Sequence, residues 1–164
     1  MDFKQTYKRL LDSNEFKKWK KENKNSYLAS FSTIFDSFSN KTEFWTIAFY
    51  DPKEDSMTNF VMKEEVSIEK FNEIAKKPNT KVTELKIEKV KIDFETAIEK
   101  IKETKKEYYK NQMLTKAFVV LQNIDEKFLW NISFLTGSFQ LINFRIDATN
   151  NELISHEAMD FTKF

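Results

Sequence analysis

Residues 44–49 of the chain read FWTIAF, and residues 129–134 read LWNISF. The two tryptophans lie 85 positions apart, and the Asn-Phe pairs that follow them, at 59–60 and 143–144, lie 84 positions apart. Landmarks that return in the same order at a nearly fixed interval indicate an internal repeat. We therefore expect Trp45 and Trp130 to be twin core residues rather than parts of a binding site.

A helical pattern precedes the strand-like runs in each half. Asp2-Phe3 and Asp93-Phe94 open these patterns, because Asp is a favoured N-terminal cap and apolar residues then recur at helical spacing. Asp12 and Glu15 resemble a capping box that splits the first helical region in two. The strand-like runs with β-forming residues are 28–35, 44–50 and 57–66 in the first half and 116–122, 128–135 and 139–147 in the second, with a last short strand at 152–155.

These patterns predict an α+β fold of two tandem helix-plus-antiparallel-meander (αβββ) units. The first unit is assigned to residues 1–66 and the second to 92–164, together forming one compact pseudo-symmetric domain. Residues 67–91 are predicted to link the units by a short helix, capped by Ser67 and ended by Pro78-Asn79, and then by a strand that reaches residue 92.

Composition limits the functions that the chain can have. It has 164 residues, of which 40% are hydrophobic and 15% aromatic, and its formal net charge is +1. A nearly neutral chain has no global field that attracts nucleic acid or an acidic membrane, so we expect no nucleic-acid partner. Cysteine is absent, which excludes disulfides and thiolate metal sites. Arg9 and Arg145 are the only arginines among 27 basic residues, a bias typical of a prokaryote with an AT-rich genome.

Membrane-spanning and export signals are also missing from the sequence. No apolar run is long enough for a transmembrane segment, and the first residues lack the apolar stretch of a signal peptide. The sequence as it stands therefore predicts a cytoplasmic protein. If a leader has been removed, the location would be extracytoplasmic.

We find no residue pattern that predicts an enzyme. His156 is the only histidine, and its neighbours Ser155, Glu157 and Asp160 do not by themselves supply a positioned nucleophile and an oxyanion hole. With one glycine in the chain, phosphate-binding loops and nucleophile elbows are absent. We predict no catalytic residues, no cofactor and no metal, and we expect His156 to lie exposed or on an edge strand.

Two charged segments have an alternative interpretation. The acidic loop at residues 51–56 could hold a hard cation, although a solvated hairpin tip is favoured because the loop lacks the Gly and the spacing of a calcium site. The lysines at residues 17–21 surround Trp19, which suggests nucleic acid or a membrane surface. We favour a solvated helix face, with Trp19 in the apolar stripe of the helix.

The second half resembles the PepSY family. The residues that carry the resemblance are VKIDFETAI at 90–98, FLWNI at 128–132 and FRIDATNNELI at 144–154, where Asn150 replaces the Gly of the family's closing turn. The resemblance implies a helix packed on a small antiparallel sheet, with similarity to cystatin-like folds. Tandem copies would resemble the duplicated architecture of β-lactamase inhibitor proteins. It also implies inhibition or regulation of peptidases, without catalytic residues.

The resulting prediction is a non-enzymatic protein-binding or inhibitory module whose partner is a peptidase or another, unidentified protein. Candidate contact residues lie beside hairpin turns: Tyr50, Asp51, Asp55 and Phe139. One alternative is a carrier of small apolar ligands with a cavity between helix and sheet. Another is a structural protein that associates with itself through an uncovered sheet edge.

Overall fold

The computed structural model describes residues 2–71 and 81–160, except for the side chain of Asp160. Three α-helices, one 3-10 turn and nine strands are found in these residues. The elements are α1 (Phe3–Asp12), α2 (Asn14–Glu22), β1 (Tyr27–Asp36), β2 (Lys41–Thr42), β3 (Trp45–Asp51), β4 (Ser56–Met62), β5 (Val66–Phe71), the 3-10 turn (Ile87–Lys89), α3 (Phe94–Tyr108), β6 (Leu114–Ile124), β7 (Lys127–Thr136), β8 (Gln140–Asp147) and β9 (Leu153–Asp160).

All the strands belong to one antiparallel sheet. Its order is β5-β4-β3-β1-β6-β7-β8-β9, and the short β2 pairs with the end of β1. The central pair is β1 with β6, whose register runs from Ser30 opposite Gln122 to Asp36 opposite Lys116. Strands β5 and β9 occupy the two edges of the sheet. The strands from the first half of the chain therefore meet those from the second half in the middle, where β1 pairs with β6.

The helices cover a single face of this sheet. Strand alternation points Phe31, Phe35, Trp45 and Trp130 to the same side, where they contact rings from the helices. Phe3 of α1 packs against both tryptophans, and so does Phe94 of α3. Both tryptophans are buried, which confirms that they are core residues.

The opposite face of the sheet has no helix over it within the described residues. It carries mainly small and polar side chains, including Ser30, Ser32, Thr46 and Gln122. Asn143 is 5% exposed there and donates to Asn131 Oδ1 and Ser133 Oγ, at 2.7 and 2.9 Å. Polar pairing of this kind lets a strand face remain uncovered.

The predicted arrangement of two αβββ units is wrong. The structure is a sheet-rich fold in which nine strands form one continuous sheet, with three α-helices, rather than two helix-plus-meander units. Periodicity in the sequence identifies individual strands, but it does not reveal which strands pair. Here the backbone hydrogen bonds between β1 and β6, in the middle of the sheet, join the two predicted units into one sheet. The coarser prediction, an antiparallel sheet in an α+β composition, is confirmed. The proposed boundaries at 1–66, 67–91 and 92–164 stay a prediction.

The predicted linker also differs from the structure. Residues 66–71 form β5, which pairs with β4 from Met62 opposite Val66 to Met57 opposite Phe71, instead of beginning a helix at Ser67. Residues 82–92 form no strand and are irregular apart from the 3-10 turn. Their main chain makes single hydrogen bonds to other segments instead of a strand ladder; for example, Leu85 N–H donates to Leu28 O at 2.8 Å. The predicted helix end at Pro78-Asn79 lies outside the described residues.

We predict that Trp130→Ala lowers the free energy of unfolding by about 3–5 kcal/mol, because truncating a fully buried Trp leaves a large cavity. The substitution also removes the indole N–H that donates to Ile92 O at 3.0 Å. Urea denaturation followed by circular dichroism measures the change. Phe38→Ala, at an exposed ring, is the control and should change stability by no more than about 0.5 kcal/mol.

Candidate ligand-binding groove

Helix α3 forms one wall of a groove at the side of the sheet. Asp93 caps the helix by accepting a hydrogen bond from Thr96 N–H at 2.8 Å. Hydrogen bonding from Thr96 holds the pKa of the Asp93 carboxyl below its ordinary value. Ile98 and Ile101 are buried on the face of α3 that turns towards the sheet. The cap and the apolar stripe together fix where this wall begins and which way it faces.

The opposite wall is the β1–β2 turn, which follows Asp36. The Asp36 carboxylate accepts hydrogen bonds from Phe38 N–H at 2.8 Å and Ser39 N–H at 3.3 Å, a common side-chain turn motif. Ser37 N–H also donates to Thr115 O at 2.9 Å. Because this turn is tied both to itself and to the start of β6, Phe38 projects from a fixed position.

The third border consists of the α3–β6 loop and the β7–β8 turn, which are joined by hydrogen bonds. Gly137 N–H donates to Met113 O at 2.9 Å, and Ser138 Oγ donates to Gln112 Oε1 at 3.1 Å. A Cβ added at Gly137 would lie 2.8 Å from Met113 Cε, so the glycine permits this close approach. The loop and the turn therefore form one structural unit.

These three borders enclose a cavity of about 450 Å³. Its floor is apolar, with Phe35, Ile98, Ile101, Leu114 and Phe134 from α3 and three strands. A second cavity of about 580 Å³ shares Phe35, Asn40 and Ile98 with the first and continues towards the start of α3. We call the two together the α3 groove.

The α3 groove has opposite charge at its two ends. Lys102, Lys105 and Lys110 line the first cavity, whereas Glu95 and Glu99, together with Lys41, line the second, which is therefore acidic by one charge. Lys102 Nζ forms an ion pair with Glu99 at 2.7 Å where the two cavities meet. Neither Lys105 nor Lys110 has an ion pair within residues 2–71 and 81–160. Two lysines are thus available beside the apolar floor.

The predicted contact residues do not form one site. Tyr50, Asp51 and Asp55 belong to the β3–β4 hairpin, which lies beside the start of β1, because Tyr27 is opposite Tyr50. Phe139 follows the end of β7, near the opposite end of β1. Nine residue steps along β1 separate the two places by about 30 Å. A single small ligand could not touch both.

The β3–β4 hairpin holds its polar groups in internal contacts. Tyr50 is buried, its ring packs against Tyr27, and its hydroxyl donates to Asp55 Oδ1. Asp51 Oδ1 accepts hydrogen bonds from Lys53 N–H at 2.9 Å and Glu54 N–H at 3.3 Å. These carboxylates thus order the turn. A protein-contact role for these residues and for Phe139 stays a prediction.

His156 lies on the edge strand β9, as predicted. Its Nδ1 is 2.8 Å from the Tyr109 hydroxyl, and its ring lies 4.5 Å from the Tyr108 ring. Burial, followed by the charge of Glu157, raises the pKa of the Tyr109 hydroxyl. Ser155 lies on the opposite side of the strand from His156, so the two do not form a nucleophile–base pair.

The acidic loop at residues 51–56 and the lysines at residues 17–21 are the other charged segments that the sequence singled out. Within the described ranges, no group of three or more His, Asp or Glu side chains is arranged to hold a metal ion. Trp19 packs against Phe49 and Phe60, with ring centroids 5.3 and 5.1 Å apart, so its place in the apolar stripe is confirmed. Lys17, Lys18 and Lys21 are exposed, whereas Lys20 is partly buried and its ammonium group donates to Lys24 O and Ser26 O.

Sequence reasoning did not identify the groove residues. Lys105 and Lys110 were hidden in a general excess of lysine, and Phe38 and Met113 lie in segments without periodicity. The available signal was the density of lysine and aromatic residues in 100–116, which read KIKETKKEYYKNQMLTK. Such a basic, aromatic segment at a helix end is a recognisable surface feature.

Comparison with known proteins supplies a fold relative. No family model matches the chain, and no curated protein sequence matches it. The crystal structure of a protein described as a "putative lipoprotein" from Clostridium difficile 630 is similar, with a TM-score of 0.53 and 14% sequence identity. The match covers 88% of this chain and 90% of the other. At this identity the likeness establishes a shared fold only, and the resemblance to PepSY stays a prediction.

One finding concerns the membrane directly. Among the helices of the described residues, none has the length and apolarity required to cross a bilayer.

We predict that Asp93→Asn makes stability less dependent on pH. The folded pKa of Asp93 is lowered, so its charge stabilises the protein above the unfolded pKa, about 3.9, and this contribution is lost as pH falls through the folded value. At pH 7 the variant should lose about 0.3–1 kcal/mol, since Asn still caps but lacks the charge. Urea denaturation at pH 7 and pH 3 tests this. An equal difference at both pH values would contradict it.

We predict that Phe139→Asn stabilises the protein. Phe139 adopts φ 59°, in the left-handed region that a bulky side chain rarely occupies, and its ring is 74% exposed. Asn tolerates this backbone, so the free energy of unfolding should rise by about 1 kcal/mol. Thermal and urea unfolding give the measurement. The matched control is Phe38→Asn, at an exposed ring outside the positive-φ residues, which should not stabilise.

Proposed function

We propose that the protein is a non-enzymatic binding protein whose α3 groove takes a small amphipathic anion, with an apolar tail and a carboxylate or similar head. The observation that carries the proposal is an apolar floor bordered by two lysines without ion pairs in the described residues. The first cavity, at about 450 Å³, falls within the range of about 300–1,000 Å³ usual for ligand sites.

The apolar floor supports binding of the tail. Phe35, Phe134 and Ile101 are held in place by the core and shape the floor. Most of the contact area for a tail comes from Leu114, which is partly buried, and from the exposed Phe38 and Met113 at the rim. Each methylene that leaves water contributes about 0.8 kcal/mol. Affinity should therefore increase with the length of the tail until the groove is filled.

The lysines support the choice of an anion. Lys105 and Lys110 border the first cavity, and their ammonium groups can reach a head group while the tail lies on the floor. Lys105 also lies in the last turn of α3, where the helix carbonyls favour a cation. A neutral ligand would leave these charges unused.

The protein-binding or inhibitory role implied by the resemblance to PepSY remains a separate proposal. The exposed Phe139 is the residue that favours it, because aromatic side chains beside turns often anchor a protein partner. Peptidase inhibition is tested directly by adding the protein to peptidase assays.

We predict that dodecanoate binds to the groove more tightly than dodecanol, which has the same tail without the charge. Octanoate should bind more weakly than dodecanoate, since fewer methylenes leave water. Isothermal titration calorimetry below the micelle-forming concentration measures all three. Equal affinities for dodecanoate and dodecanol would contradict the role of the lysines, and no binding of any of them would contradict the proposal.

Charge reversal supplies the matched control. Lys105→Glu should weaken dodecanoate binding about three- to tenfold, because a cation is replaced by a repelling anion near the head group, and it should leave dodecanol binding nearly unchanged. Lys106→Glu changes the charge of the same helix by the same amount, but Lys106 does not line the groove. It should have a clearly smaller effect.

A further inference from the structure

We propose that the end of the sheet beside the first cavity is a docking surface for an anionic lipid bilayer. We call it the groove end; it comprises the β1–β2 turn, residues 100–116, the start of β6 and the β7–β8 turn. This inference concerns a surface outside the groove floor. The inference rests on the proposed function in one respect: the ligand of the groove would be exchanged with the membrane at the border of the groove.

Exposed apolar side chains concentrate at the groove end. Within the described residues, the large apolar or aromatic side chains more than half exposed are Phe38, Tyr108, Met113, Phe118 and Phe139. Phe38, Tyr108, Met113 and Phe139 lie on the elements that define the groove end, whereas Phe118 lies within β6, opposite Ile34, on the uncovered face of the sheet. Aromatic rings with adjacent polar groups are suited to the interface between lipid head groups and acyl chains.

Positive charge surrounds these side chains. Residues 100–116 contain six lysines and two glutamates, an excess of four positive charges in a chain whose total is +1. Lys106, Lys110 and Lys116 are exposed. The acidic groups nearby are Glu103 and Glu107 on α3 and Asp36, whose carboxylate is engaged by the turn backbone. Glu99 pairs with Lys102, and on β9 Glu157 acts on Tyr109 and Asp160 stands opposite Gln140. Lys106, Lys110 and Lys116 have no ion pair within the described residues. Basic residues combined with exposed rings favour an anionic bilayer.

The apolar residues are held in place by the scaffold. Ser37 ties the β1–β2 turn to β6, and Gly137 and Gln112 tie the β7–β8 turn to the α3–β6 loop. Phe139 points outward from a left-handed backbone at a cost in stability. Core packing does not account for the strained position of this exposed ring, and exposed aromatic side chains of this kind are typical of binding surfaces.

The position of the groove connects this surface to the proposed ligand. Phe38 and Met113 are both exposed at the groove end and line the first cavity. Lys105 and Lys110 border the same opening. An amphipathic anion that left a bilayer docked here would therefore enter the groove without crossing open water.

The experiment is flotation of the ligand-free protein with lipid vesicles. Vesicles of phosphatidylcholine and phosphatidylglycerol in equal parts should bind the protein, pure phosphatidylcholine vesicles should bind it at least tenfold less, and binding should weaken with added salt. Phe139→Asn and Tyr108→Ser should each weaken binding about tenfold, and Lys106→Gln and Lys116→Gln about fivefold each. None of these four residues lines the groove.

Matched controls lie away from the groove end. Phe71→Ser removes an exposed ring on β5, and Lys127→Gln removes a charge at the β6–β7 hairpin; both residues lie at the opposite end of their strands. Neither should change vesicle binding by more than about twofold. Circular dichroism confirms that each variant is folded, and Phe139→Asn, which should be the more stable variant, excludes unfolding as the cause of lost binding.

Three results would overturn the inference: no binding to anionic vesicles, equal binding to both kinds of vesicle, or equal effects of the groove-end variants and the controls. A dimer that Phe139→Asn dissociates, without vesicle binding, would identify a second copy of the chain as the partner instead. Dodecanoate titration is performed without vesicles. If dodecanoate binds but vesicles do not, the docking surface alone is refuted. If vesicles bind but dodecanoate does not, only the groove proposal is refuted.

Discussion

The rest of the structure depends on the contact of four aromatic side chains, Phe3, Trp45, Phe94 and Trp130. They come from α1, β3, α3 and β7, and both phenylalanines touch both tryptophans, with ring centroids 5.3 to 6.2 Å apart. The tryptophans themselves lie 6.3 Å apart. Rings of this size contribute much of the burial that stabilises a small domain. Their contact forces both helices to the same face and draws the two halves of the sheet together.

One-sided coverage has a consequence for function. Because the helices pack on the same face of the sheet, aromatic rings fill the space between the helices and the central strands. The first cavity lies at the border of this core, where α3 ends beside the loops. The cavity uses rings at the border of the core, Phe35 and Phe134, as its floor. The centre of the fold thus provides stability, and the loops at one end carry the exposed and charged residues.

Local patterns in the sequence predicted the pieces of the fold. Capping by Asp93 and the stripe that contains Ala97 and Ile101 located α3, and strict alternation located β7. The single sheet was not predictable in the same way, since the pairing of Ser30 with Gln122 depends on contacts 92 positions apart. Segment 66–71 has apolar residues at spacings that suit a helix, but the free edge of β4 made it a strand.

The residues of the two proposed binding surfaces were harder to predict, because they do not follow the periodic patterns by which core residues are recognised in a sequence. Phe139 was singled out for its place beside a turn, yet Phe38 and Met113 lie in segments without periodicity and border the same cavity only because two separate loops fold to one end of the sheet. Tyr50 showed the same sequence signal and proved to be buried. Phe139 is exposed on a left-handed backbone, whereas Phe38 is exposed beside a turn without a positive φ. What sets Phe139 apart from both Phe38 and Tyr50 is exposure at a cost in backbone energy, which neither residue type nor a position beside a turn predicts.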